Sequence, residues 1–323
     1  MKDIKSMIIG LLMATFIFSQ SQQVSFESAN PFSFKDIITN IENLDKQTVS
    51  GILTIPENAG SQVPLVIGVA GSSGWGEHHF EYLKMYQDMG IATFQLQSFK
   101  SRDETSTVGT QNTVTHAMII LDSYRALEKL SENPLIDIDN VAITGWSLGG
   151  GVTLFSGWKP LMNAIDSNYK FAAHLAFYPP CFVEPSILDF TDSPIHILIG
   201  EIDEWTPSEP CLELVSLLDD NGTDIDITVY EDAHHSFDRD APILTSETAY
   251  NFTNCRFTIR KHCAERFGFL KRVNGYKTTF KQLLRITHDN ISWDADIESY
   301  LESLIIELPT ILKDFIRLPK LYY

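Results

Sequence analysis

An apolar run, Val141-Ala142-Ile143, leads straight into Thr144-Gly145-Trp146-Ser147-Leu148-Gly149-Gly150-Gly151. This stretch constrains the fold more than any other. A buried strand that gives way to a helix across Gly-x-Ser-x-Gly needs a turn so sharp that only small residues fit beside the serine. Ser147 is then lifted above the sheet, and the glycines let strand and helix approach closely enough to hold it there. The backbone N–H of Leu148, at the start of the helix, points toward any negative charge that develops above the turn.

The surrounding sequence has the rhythm such a turn requires. From about Lys46, β-rich runs alternate with helical ones, the pattern of a mostly parallel sheet with helices on both faces. Strands are expected over Gln47 to Pro56, Pro64 to Gly71, Ile91 to Phe99, Asn140 to Gly145, Phe171 to Tyr178, Pro194 to Gly200 and Ile225 to Tyr230. Helices are expected over Glu77 to Met89 and Thr113 to Leu130. Residues 245–290 lose the alternation and read as an insertion or lid-like excursion. Asp294 to Ile316 regains helical spacing and should pack back onto the sheet as a terminal helix.

A nucleophilic serine on this turn needs an acid and a histidine further along, in that order. The strand Ile195 to Gly200 ends in Glu201-Ile202-Asp203, and Thr206-Pro207 then starts a helix. Asp203 therefore falls at a strand end, on the same edge as the serine. After Ile225 to Tyr230 comes Ala233-His234-His235-Ser236-Phe237. The two histidines are adjacent, and side chains of neighbouring residues in extended backbone point to opposite sides, so only one faces the serine.

In these pieces the chain resembles the dienelactone hydrolase family and related exported serine esterases. The resemblance is carried by Gly71-Ser72-Ser73-Gly74, Ser98-Phe99 with Arg102, the Gly145 to Gly151 turn, Tyr178-Pro179-Pro180-Cys181, Gly200 to Asp203 with Thr206-Pro207, and the Ala233 to Phe237 loop. It implies an α/β-hydrolase fold and hydrolysis of esters or lactones, with Ser147 as nucleophile, Asp203 as orienting acid and His235 as base. His235 is preferred because the family's histidine is followed two residues later by phenylalanine, here Phe237. The second oxyanion N–H would come from Ser72, with its neighbour Ser73 as the alternative. Arg239 resembles the family's substrate-carboxylate arginine in position, and Arg102 is a second candidate; a surface ion pair with Asp238 or Asp240 reads Arg239 equally well. The sequence departs from the namesake enzymes by carrying Ser147 where they use cysteine, and Ala70-Gly71 where His-Gly is common.

The first residues bear on location. Lys2 and Lys5 precede an apolar run from Met7 to Phe18 and then Ser19-Gln20-Ser21, the order of a secretory signal peptide. The run is short against the roughly 20 residues that span a bilayer. Residues 1–21 are thus read as a removed leader and 22–323 as one hydrolase domain, periplasmic or secreted, with no stable membrane insertion. Outside the cytoplasm, Cys181, Cys211, Cys255 and Cys263 read as structural disulfides, expected as Cys181 with Cys211 and Cys255 with Cys263. No Cys-x-x-Cys pair accompanies them, and His78-His79 lacks carboxylate or cysteine at ligand spacing, so neither a metal nor a cofactor is expected. An excess of 42 acidic over 24 basic residues, net charge -18, makes nucleic acid an improbable partner.

Two other functions compete with a small-molecule ester or lactone hydrolase. A peptidase of the prolyl-oligopeptidase type shares the fold and the triad, but such enzymes usually carry a large extra domain. A noncatalytic exported binding protein could keep the scaffold, yet it would have no need of Ser, Asp and His in that order.

Overall fold

The computed structural model describes residues 20–57, 61–109, 111–242 and 251–259. The chain begins with β1 (Gln20–Ala29), α1 (Phe34–Asn40), β2 (Lys46–Ile55), β3 (Val63–Val69), α2 (Glu77–Asp88), β4 (Ala92–Leu96) and α3 (His116–Leu130). It continues with β5 (Ile136–Trp146), α4 (Leu148–Ser156), α5 (Lys159–Ile165), β6 (Ala173–Phe177), β7 (Val183–Pro185) and β8 (Ile195–Gly200). The last described elements are α6 (Ser208–Asp220), β9 (Ile225–Tyr230) and β10 (Phe257–Ile259).

Among the described residues, eight strands form one sheet in the order β1-β2-β4-β3-β5-β6-β8-β9, and β10 pairs with β7 in a separate ribbon. The β1–β2 and β2–β4 pairs are antiparallel, and every pair from β4 to β9 is parallel. The chain steps from β3 to β4 in one direction and from β4 to β5, β6, β8 and β9 in the other. Right-handed crossovers therefore put α2 on one face and α3, α4 and α6 on the opposite face. This is the mostly parallel, helix-covered α/β-hydrolase architecture expected from the sequence.

The reversal happens beside β3 and β5, the central strands, which are buried almost throughout: Leu65, Val66 and Ile67 pair with Val141, Ala142 and Ile143. α2 buries His79, Tyr82, Leu83 and Tyr86, a stripe at helical spacing, against the sheet. Its aromatic residues meet Trp146 and Phe177 at the carboxyl ends of β5 and β6.

One strand was not expected from the sequence, and three expectations fall wholly or partly outside the described residues. The strand β1 has no counterpart in the sequence reading; it holds all ten of its residues in register with β2, from Gln20 opposite Ile55 to Ala29 opposite Lys46. The segment read as a leader lies outside the described residues except Gln20 and Ser21, which are the first two residues of β1. Only 251–259 of the expected 245–290 excursion are described, and there the chain adds β10 alongside β7. The expected terminal helix from Asp294 to Ile316 lies outside the described residues.

Candidate active site

Ser147 sits between β5 and α4 with φ 56° and ψ -111°, a conformation that L-residues rarely adopt. The packing around it enforces the strain. A Cβ on Gly145 would lie 2.3 Å from the Gly149 carbonyl oxygen, and one on Gly149 would lie 2.2 Å from that of Val69. No side chain fits at either position, so the strand, the helix and β3 meet backbone to backbone. Ser147 N–H donates to Phe177 O at 3.0 Å, tying the turn to the end of β6. Of the residues from Val141 to Gly150, Ser147 alone reaches partial exposure.

The strand ends β8 and β9 bring two further groups to this point. Ser147 Oγ lies 3.0 Å from His235 Nε2, and His235 Nδ1 lies 2.8 Å from Asp203 Oδ2. Nδ1–H donating to the carboxylate leaves Nε2 free to accept the serine proton. His235, rather than His234, is the histidine that faces both partners. Asp203 is 3% exposed, and its oxygens are satisfied from one side by Trp205 N–H at 2.9 Å, Thr206 N–H at 2.8 Å and Thr206 Oγ–H at 2.8 Å. α6 starts only after this, at Ser208. The His235 ring is held between Trp205, stacked at 5.2 Å, and Tyr178, edge-on at 4.7 Å.

The Gly71–Gly74 turn lies directly opposite. A Cβ on Gly71 would be 3.7 Å from Ser147 Cβ, so this backbone borders the serine. Gly74 N–H closes the turn on Gly71 O at 2.9 Å, and the Ser72 carbonyl accepts from Thr107 N–H at 2.9 Å and Ser106 Oγ–H at 3.0 Å. Leu148 is the first residue of α4. Gly71 and Leu148 thus both border Ser147.

Other expected residues are used differently. Arg102 is a correction: its guanidinium is committed to buried Asp122, Nη1 to Oδ2 at 2.7 Å and Nη2 to Oδ1 at 3.1 Å, with further bonds to Asn30 Oδ1 and Ala29 O. Ser28 adds a bond to the same carboxylate at 2.6 Å. Arg102 therefore fastens the end of β1 to α3 and is closed to a substrate carboxylate. Arg239 is exposed, and its charge helps to depress the His78 and His79 pKa values. Burial is the larger cause, taking His78 to about 4 and His79 to about 2. Asp238, read in sequence as a surface partner for Arg239, is instead 3% exposed. Cys181 and Cys211 form a disulfide as expected. Cys255 is a buried free thiol among the described residues, and Cys263, its expected partner, lies outside them. Among the described residues, no group of three His, Cys, Asp or Glu side chains is placed to hold a metal ion.

Sequence reasoning passed over three residues that this geometry uses: Thr206 on Asp203, and Tyr178 and Trp205 on His235. Thr206 and Tyr178 both stood in segments that resembled the family, and their adjacency to Asp203 and to the β6 strand end was the available signal.

Known proteins share this arrangement of strands. The sequence pattern of the dienelactone hydrolase family matches residues 83–258, more than half of the chain. A solved structure of a putative dienelactone hydrolase from Klebsiella pneumoniae subsp. pneumoniae MGH 78578 is similar over 67% of this chain and 88% of its own, at 18% identity and a TM-score of 0.50. The structure named m3DLH is similar over 67% of this chain and 84% of its own, at 16% identity and a TM-score of 0.51. At these identities the two likenesses concern the fold. No curated protein matches the chain in sequence.

Proposed function

Because this chain belongs to the dienelactone hydrolase family of carboxylic ester hydrolases, we propose that it cleaves small-molecule esters or lactones through Ser147, His235 and Asp203. The observation that carries this reading is the unbroken line from Ser147 Oγ to His235 Nε2 at 3.0 Å and from His235 Nδ1 to Asp203 Oδ2 at 2.8 Å.

Ser147 Oγ attacks the ester carbonyl carbon while its proton passes to His235 Nε2. Asp203 keeps the imidazole in the tautomer that accepts this proton and stabilises the imidazolium that results. The carbonyl oxygen becomes an oxyanion, which the backbone N–H groups of Leu148 and Ser72 stabilise. Collapse expels the alcohol oxygen, which takes the proton from His235. Water then attacks the acyl-enzyme with His235 again as base, releasing the acid and restoring Ser147. Arg239 remains the accessible candidate for a carboxylate on the substrate.

The reading extends to location. The Cys181–Cys211 disulfide supports export to an oxidising compartment, together with the charged and apolar order of residues 1–21. No helix among the described residues is long and apolar enough to cross a membrane. The functional unit is then one hydrolase domain over 22–323.

A panel of chromogenic esters of increasing acyl length, beside a peptide substrate, tests the proposal. Turnover of esters by the parent, its loss in Ser147→Ala by a factor on the order of a million, and fluorophosphonate labelling of the parent alone are the expected results. His235→Ala should lose nearly as much, and His234→Ala should keep substantial activity. Cleavage of peptide without ester, or equal labelling of parent and Ser147→Ala, overturns it.

A further inference from the structure

One buried ionisable group beside the site has no part in the reaction as written above. Asp238 lies three residues after His235 and is 3% exposed. Burying a carboxylate is costly unless other groups compensate it. Tyr178 Oη donates to Asp238 Oδ1 at 2.9 Å, and Tyr178 is the residue whose ring lies edge-on to His235 at 4.7 Å. Tyr178 has φ 37° and is held there by its N–H on Leu198 O at 2.6 Å. The residue before it, Phe177, accepts the Ser147 N–H. Asp238 Oδ2 and Trp146 Nε1 are both buried without a hydrogen-bond partner, and the Trp146 indole pulls the Asp238 pKa down. Trp146 is the residue that immediately precedes Ser147.

We infer that Asp238 is a positioning residue: a second buried carboxylate that, through Tyr178 and Trp146, holds the His235 ring and the Ser147 turn in register and favours the imidazolium formed during the reaction. This rests on the proposed roles of Ser147 and His235. A fixed negative charge in a site of low polarity acts on a developing cation far more strongly than it would in water, and needs no reorganisation when the cation forms.

The titratable groups around Asp238 leave His235 as the one that can answer its charge. Tyr82 and Tyr86 face it from α2 and Tyr178 from the end of β6, with Tyr230 of β9 beside Tyr82. Burial raises the pKa of Tyr82, Tyr86 and Tyr178, so all three stay neutral at ordinary pH. Arg239, the next residue, is exposed on the side of His78 and His79. Burial lifts the Asp238 carboxyl itself to about 6, against the pull of Tyr178, Trp146 and His235. It is therefore charged at neutral pH and discharged by mild acid.

The test is Asp238→Asn, which keeps the shape and an acceptor for Tyr178 and removes the charge. With an ester substrate, kcat should fall about tenfold with KM within about twofold, and the acid limb of the kcat/KM profile should move to lower pH. Fluorophosphonate should still label Ser147. A variant with the parent's kcat and pH profile overturns the inference, even if its melting temperature has changed. If Asp238→Asn does not fold, Tyr178→Phe keeps ring and carboxylate but cuts the link; a several-fold loss of kcat at constant KM supports the inference and an unchanged kcat overturns it. Failure of the Ser147 assignment shows separately, as turnover that survives Ser147→Ala.

Discussion

Thr206 donates its hydroxyl proton to Asp203 Oδ2 at 2.8 Å, on the same carboxylate oxygen that receives His235 Nδ1–H. Thr206 Oγ1 is also only 3.0 Å from His235 Nδ1, so the three atoms form a closed triangle. The hydroxyl fixes where that oxygen sits and hence where the imidazole points. Thr206→Val removes the bond with little change of shape. Turnover should fall about tenfold, the worth of one such bond at ~1.4 kcal/mol, with fluorophosphonate labelling slowed but present. Steady-state kinetics with one ester measure it; unchanged kcat would show that the two backbone N–H bonds suffice to orient Asp203.

Arg102 should matter for folding and not for substrate choice. Its side chain is 7% exposed and that of Asp122 is fully buried. Arg102→Met leaves the Asp122 carboxylate without its ion partner, at a cost of about 3–5 kcal/mol. Urea unfolding should show that loss. The preference for carboxylate-bearing over neutral esters should match the parent's, and a collapse of that preference alone would return Arg102 to the substrate site.

The disulfide joins Cys181, in the loop after β6, to Cys211 in α6 across a sequence separation of 30. Closing a loop of that length lowers the entropy of the unfolded chain by an amount worth about 3–4 kcal/mol. Cys181→Ser/Cys211→Ser should therefore unfold at lower denaturant with nearly the parent's kcat, since neither sulfur is hydrogen-bonded to Ser147, His235 or Asp203. An unaltered midpoint would place the stabilisation elsewhere.

Acid should destabilise the protein well above the usual carboxylate range. Burial lowers the pKa of His79 to about 2 and of His116, His174 and His196 to about 4, so these rings stay neutral in the folded state. Unfolded histidines take up protons near 6.5. The unfolded state then binds more protons than the folded one below that pH, and stability present at pH 7 is lost as pH falls toward 4. Asp238 works in the opposite direction: with its folded pKa raised to about 6, it favours the folded state at low pH and loses that contribution as pH rises through 6. Histidines outnumber it, so unfolding at pH 5 should take up about three protons net from these groups. Melting temperature against pH gives this slope. A flat profile between pH 7 and 5 would contradict the buried neutral histidines.

What the sequence determined was local. The order of strands and helices from Lys46 to Tyr230 follows from apolar periodicity and turn residues, and β9 spans the same residues, Ile225–Tyr230, in expectation and structure. The Ser147 turn was legible because its glycines are needed wherever three backbones meet, and Phe237 set the register that distinguishes His235 from His234. Tertiary structure decided whatever depends on a partner far along the chain. β1 reads as Gln-Ser-Gln-Gln-Val-Ser-Phe-Glu-Ser-Ala, with apolar alternation confined to Val24 and Phe26, and runs to ten residues because β2 supplies ten partners. Arg102 looked like a substrate ligand until Asp122, on α3, proved to occupy its guanidinium. Asp238 looked like a surface charge beside Arg239 and lies instead under Tyr178. Composition and spacing carry no information on which charge is buried, because burial is set by the strand ends that close over it.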